Sequence, residues 1–435
     1  MAQCAPDTGG ILEVDDLKRE LDLATPLLVV FVIAQPLIVN FASIWDTIIL
    51  RWCFLLSVSG LALAMGLKRR IFSRRTCTLP LVVFLLLVLV SALLSEHRKE
   101  AFIGAGFRLT GFVSWGCFVV LFLFAAGLAA QRPRTLGRMT GPLWRVSVAV
   151  IAVLGLLQYF GIDLVGVISP TYNLSYGTIG NSNHLGTYLL TCPLPFVVNR
   201  YLAKPTVVTT TELALVYGCL LTTQSKSAWI ALAFGMLLIL WRHPLRKNLI
   251  KMLVVMAVAT AVLIPSRGLV LWQEAASLES HAKLALEGNP EAGNFRFFLW
   301  QEGLKALPKY ALFGIGPDSY LYVAKDALER QYGENYPARA HNIYVETAVT
   351  MGVPALLAYL WFLLCCLRRF DPKDAGQFTC FLMLAIYLVQ GLFLNDVLSV
   401  YPVFLILLAA GIGGTSARPA PNTEQHGPRE LKRFP

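Results

Sequence analysis

The chain has 435 residues, 56% of them hydrophobic and only 14% charged, with a formal charge of +11. That balance excludes an ordinary soluble domain. The scatter of Lys and Arg through short loops argues against a nucleic-acid surface, because cations placed there set the orientation of membrane spans. The nine cysteines include no C-x-x-C pair and lie mostly in apolar stretches (Cys117, Cys219, Cys365-Cys366), which reads as packing and not as disulfide or metal chemistry.

The first residues, through Leu21, are polar, with Asp15-Asp16 and Glu20 where a signal peptide carries a basic region; residues 1–24 are therefore expected to form a cytoplasmic segment. Apolar stretches then recur at Pro26–Phe41, Thr47–Leu67, Pro80–Leu94, Gly111–Ala130 and Leu143–Tyr159. A short Leu185–Val198 follows, then Glu212–Thr223, Ser227–Trp241 and Leu249–Ile264. A crossing takes roughly 20 residues, and residues 25–265 are expected to hold nine spans. Residues 266–340 read as a polar extracytoplasmic loop, with a helix over Phe295–Leu307 lying in the interface plane and a turn at Leu312–Pro317. Residues 341–413 add Asn342–Leu367, Phe378–Leu394 and Val400–Ile412, and 414–435 form a disordered cytoplasmic tail. The expected fold is an all-α membrane bundle of about 12 transmembrane helices with a long, partly helical outer loop.

One set of alternate loops holds Lys68-Arg69-Arg70, Arg132/Arg134/Arg138, Arg200 with Lys204, Arg242/Arg246/Lys247 and Arg368-Arg369. The opposite loops are nearly free of cations. This places both termini in the cytoplasm and the loop ending at His341 outside. The outer cations Arg108 and Lys226 work against that orientation, so a ligand or partner is expected to retain them. Arg51, a turn inside its span, must snorkel, pair or line a cavity. In Gly177–Gly186 the glycines can turn backbone amides toward a ligand, with Asn183 as expected N-cap. The loop adds Arg267, Arg296 and Arg339. Guanidinium, ammonium and helix-terminal amides on one face are the groups that bind a diphosphate.

His341, just before an apolar helix, reads either as an interfacial cap or as a general base kept neutral by the helix dipole and neighbouring cations. Glu346, about one and a half turns on, is either a structural partner of a buried Arg or Tyr or a substrate contact. Arg296, beside Trp300, is either a snorkelling anchor or a phosphate ligand at headgroup depth. No D-x-D, H-E-x-x-H or Walker-type run occurs in the outer segments, so no nucleotide, metal or other cofactor is expected.

Arg296 with Trp300, Phe313-Gly314-Ile315-Gly316-Pro317, and His341-Asn342-Ile343-Tyr344 followed by Gly352 resemble the O-antigen ligase/polymerase superfamily. Gly104–Gly111, Gly180–Asn183 with Pro193 and Pro195, and Thr223–Trp229 fit it as well. The resemblance implies a polytopic glycosyltransferase that moves a glycan from undecaprenyl diphosphate to an acceptor hydroxyl at the outer face of the bacterial inner membrane, without nucleotide or metal. His341 then matches the essential loop histidine and Arg296 the loop arginine. Lys226 stands where members commonly have Arg in a Ser-Arg pair, which keeps the charge but loses the bidentate fork. The glycolipid acceptor (lipid A–core for a ligase), a growing glycan for a polymerase, or a Ser or Thr side chain for a protein transferase stay open. So does a lipid-linked-glycan transporter, which would want cations on both membrane faces and for which Arg51 speaks.

Overall fold

A computed structural model describes residues 23–72, 77–106, 108–166, 174–243, 246–289, 291–293, 295–332 and 339–415. Most of the expected cytoplasmic segment at 1–24 and of the tail at 414–435 lies outside them. Among the described residues the regular structure is all α-helical, as the apolar pattern requires.

The helices run α1 Leu23–Ala34, α2 Ile44–Lys68, α3 Thr78–Leu94, α4 Arg98–Ile103, α5 Phe112–Gln131, α6 Thr135–Met139 and α7 Pro142–Tyr159. They continue as α8 Ser182–Thr191, α9 Pro193–Ala203, α10 Val207–Thr222, α11 Lys226–Arg242 and α12 Lys247–Leu286. Then come α13 Arg296–Tyr310, α14 Leu321–Tyr332, α15 Ile343–Thr350, α16 Val353–Leu367, α17 Ala375–Gln390 and α18 Tyr401–Thr415. Among the described residues, α2, α5 and α7 are long and apolar enough to cross a membrane by length and composition, and several shorter helices are strongly apolar. The chain is a membrane protein.

Two stretches expected as single spans are each broken. Between α8 and α9, Pro193 has no backbone N–H and Pro195 follows at once, so the first helix stops at Cys192. Between α15 and α16 the chain turns at Gly352, whose φ of 93° only glycine adopts without strain. The opposite correction applies at 266, where the ninth span is expected to give way to the loop: α12 is a single 40-residue helix, about 60 Å long, and runs on through that boundary. The segment expected as an outer loop therefore opens as helix, and its non-helical part begins at Glu287. The helix expected over Phe295–Leu307 runs on to Tyr310.

The bundle is built around α18, buried on every side from Tyr401 to Gly413, and packed along α5. Helices α2 and α3 lie against α5, α16 against α3, and α17 against α9, α11 and α18. The cation-rich helix ends are stitched to one another. Arg145 and Arg200 both meet Glu212, Arg242 donates to the carbonyls of Pro372 and Lys373, and Asn248 to that of Leu202 (2.8 Å). Lys226 lies at the opposite end of α11 from Arg242.

Candidate functional site

The outer segment is locked to the bundle by a turn inserted into the α15–α16 break. Ile315 N donates to Val349 O (3.1 Å), Gly316 N to Thr350 O (2.8 Å) and Val353 N to Ala311 O (2.7 Å). Ser91 and Ser95 on α3 and its end add hydroxyl bonds to Thr350 O (3.0 Å) and Ile315 O (2.6 Å). A side chain on Gly314 or Gly352 would drive a Cβ to within 2.2 Å of Thr350 backbone or 2.3 Å of Leu312 O. Gly314 and Gly352 are thus demanded by backbone-to-backbone contact, while Gly316, at φ 123°, packs against the Ser95 side chain.

His341 is not the first residue of a helix. It precedes the N-cap Asn342, whose side chain accepts from Tyr344 N and Val345 N, and it adopts φ 50°. His is one of the few non-glycine residues enriched in that left-handed region. The residue before it is held from two sides: Trp300 Nε1 of α13 donates to Ala340 O (2.9 Å), and Ala340 N donates to Glu346 Oε2 (2.7 Å). His341 Nδ1 is buried without a hydrogen-bond partner among the described residues. Burial, reinforced by Arg296, His184, Arg339 and Arg108, lowers the imidazole to about 3, so it is neutral at physiological pH.

Arg339, Arg108 and Glu346, expected as substrate contacts, are engaged with protein. Glu346 Oε1 accepts from Arg339 Nε (2.9 Å) and Oε2 from Asn395 Nδ2 (2.9 Å), which is the structural pairing a buried carboxylate requires. Arg339 also reaches Asp396 O (3.1 Å) and comes within 3.9 Å of Asp318. Burial opposes its charge, but Glu346 and Asp318 outweigh that and raise its pKa. Asp318, 2% exposed, accepts in addition from Arg108 Nε (2.8 Å), Ala105 N (2.8 Å) and Thr110 N (3.3 Å). Two guanidinium groups and two carboxylates therefore nearly cancel behind His341.

Arg296 and Lys226 come together in one cavity. Both line a cavity of about 270 Å³ between α11, the upper part of α12 and α13, with Ser227, His281, Trp300 and Phe393 in its wall. Among the described residues neither a carboxylate nor a carbonyl accepts from Arg296, and burial lowers its pKa with no opposing anion. The rest of the wall is largely apolar, with Ile230, Leu278, Ala282 and Ala285. This combination, an apolar slot with a half-buried guanidinium and an ammonium at its head, suits an anion carried on a lipid.

A second cavity, about 260 Å³, lies on the other side and is lined by Arg51, Arg108, Tyr176, Asn181, His184, Arg339 and Ser399 among others. Arg51 is buried and bonded to three backbone carbonyls, Ile38 O (3.1 Å), Ile179 O (3.2 Å) and Thr178 O (2.6 Å). It lines the cavity and at the same time ties α2 to the 176–180 turn. The N-cap of α8 is Asn181, not Asn183: the Asn181 side chain accepts from the amides of Asn183 and His184. Asn183 instead takes the Ser225 hydroxyl (2.9 Å) and joins a network through Ser227 to Gln390 and Thr187. Arg267 falls in a part of α12 where the side chains lie outside the description.

Sequence reasoning missed Asp318, Asn395, Asp396, His184 and His281. Each is one polar residue at a turn or on a helix, and His184 lies inside the Gly177–Gly186 stretch without having been singled out there. The pairing of Arg108 with Asp318 spans 210 positions, a distance no sequence window covers. Compared with known proteins, residues 213–360 match the family described as O-antigen ligase, a segment that contains Lys226, Arg296, Arg339, His341 and Glu346. No curated protein matches the chain.

Proposed function

We propose that the chain, whose residues 213–360 match the family described as O-antigen ligase, is a metal- and nucleotide-independent glycosyltransferase. It takes its glycan from undecaprenyl diphosphate at the periplasmic face of the inner membrane, in a bundle of about twelve spans. The observation that carries this reading is the cavity that pairs Arg296 with Lys226. The diphosphate sits against these two groups with the lipid along the apolar wall, while Arg108 and Arg339 stay on their carboxylates. In the reaction an acceptor hydroxyl attacks the anomeric carbon, and the bond from that carbon to the phosphate oxygen breaks. The diphosphate leaves with the electron pair, stabilised by Arg296 and Lys226, and the anomeric configuration inverts.

His341 is the proton acceptor or the group that orients the acceptor hydroxyl. A neutral imidazole offers a lone pair, but one lowered to about 3 is a weak base until something offsets the cations around it. A bound diphosphate beside Arg296 does so, raising the basicity of His341 only when donor is present.

The acceptor is a glycolipid of the lipid A–core type, the substrate class that makes the enzyme a ligase. The test is purified protein with lipid-linked glycan and each acceptor class in turn, assayed for released undecaprenyl diphosphate in the presence of a chelator. Release with lipid A–core supports the ligase, release with a second lipid-linked glycan or a Ser/Thr peptide reassigns the acceptor, and movement of donor across the bilayer without release sinks the transferase. The residue that favoured transport, Arg51, has a structural account in its three carbonyl bonds.

A further inference from the structure

The connection between α17 and α18 is the one described segment that reaches into both cavities. Phe393 enters the Arg296 cavity, its ring centroid 6.4 Å from that of Trp300, and Val397, Leu398 and Ser399 wall the Arg51 cavity. Between those arms Asn395 holds Glu346, and the Asp396 carbonyl accepts from Arg339. Phe393 thus lines one cavity and Leu398 the other, with contacts to the Arg339–Glu346 pair made by the residues between them.

Little regular structure supports this connection. Gln35 Nε2 pins Leu398 O (2.8 Å) on one arm. At the centre the carboxylate of Asp396 accepts from the Tyr387 hydroxyl, at 2.8 and 3.1 Å to its two oxygens. That hydroxyl lies 2.7 Å from the hydroxyl of Tyr359, which lies 2.9 Å from that of Tyr401. The three tyrosines come from α17, α16 and α18 and are all buried. A row of buried hydroxyl groups is costly unless each finds a partner, and this row is satisfied by ending on a carboxylate. The cost of undoing it makes the hook firm.

Resting on the transferase reading, we infer that Asp396 is a positioning residue. Hooked to Tyr387, it holds the 392–400 connection as the wall between the donor cavity and the Arg51 cavity, and it fixes the Arg339–Glu346 pair behind His341. It touches neither substrate. Its requirement is an oxygen acceptor at that point, which Asn also supplies.

The experiment compares Asp396→Ala, Asp396→Asn and Tyr387→Phe by amide hydrogen exchange and by kcat and donor KM per mole of folded enzyme. Asp396→Ala and Tyr387→Phe should speed exchange in 392–400 and lower kcat about tenfold to a hundredfold, with donor KM within about twofold of wild type, because a small misplacement of a reacting group acts on the chemical step. Asp396→Asn should recover most of the kcat. If the Ala variant does not fold, Tyr387→Phe, which removes a single hydroxyl, carries the same comparison. Faster exchange with unchanged kcat overturns the inference. So does an Asn variant as slow as Ala, or a loss confined to yield. A wild-type protein that releases no undecaprenyl diphosphate, while the variants still loosen 392–400, sinks the transferase reading instead.

Discussion

At Arg296 the question is whether a half-buried guanidinium with no acceptor among the described residues is kept for a ligand. Arg296→Ala should leave the fold intact and cost roughly 1.5–3 kcal/mol of transition-state stabilisation, about tenfold to a hundredfold in kcat/KM. Arg296→Lys should recover only part, since an ammonium cannot form the fork. Full activity in both folded variants would make Arg296 an anchor. His341→Ala should lose roughly 10²–10⁴ in rate with donor binding retained; His341→Gln separates base from orienter, because Gln hydrogen-bonds but does not accept the proton. The lowered imidazole also has a stability signature. The unfolded chain protonates this histidine near 6.5 while the folded chain resists until about 3. Between those values the native state binds fewer protons, so stability falls as pH drops from 6.5 toward 3. His341→Gln should therefore lose less Tm than wild type between about pH 7 and pH 5; equal losses would mean an ordinary histidine.

Among the elements, the inserted turn makes the sharpest forecast. Gly352→Ala forces a Cβ against Leu312 O in a backbone conformation that alanine avoids, which should destabilise by at least about 1–3 kcal/mol. Gly60, inside α2 with open space around it, is the control: Gly60→Ala should be neutral or stabilising by about 0.5–1 kcal/mol. Thermal unfolding in detergent reads both, and equal Tm values would remove the packing explanation for Gly352. The sequence made the helices legible wherever the signal was a continuous apolar run, because that signal is local. It misled at residue 266, where polar residues were expected to end the helix and α12 continues to Leu286, and at Asn183, where the cap is the neighbouring Asn181. Lys226 stood out because an outer cation opposes the orientation set by the other loops, and Arg296 because it sits beside Trp300 on a helix of the polar stretch. Asp318 and Asp396 were not, since a lone acidic residue in a turn looks like any solvated one until the fold brings arginines and tyrosines to it.

For the whole molecule, the loop charges predict that reporter fusions at Gly288 and Gln425 give opposite signals, outside and inside. Identical signals would move the Arg296 cavity to the wrong side for a periplasmic transfer. The interlock of residues 311–316 with 349–353 also bears on how such proteins can be recombined. A splice that exchanges only the polar stretch before His341 would bring a foreign turn against a resident helix break, with Ser91 and Ser95 of a third helix aimed at carbonyls that have moved. The graftable cassette is larger: it runs from the upper part of α12 through Gly352 and takes the two serines with it. Chimeras cut at those seams should fold, and those cut at His341 should not.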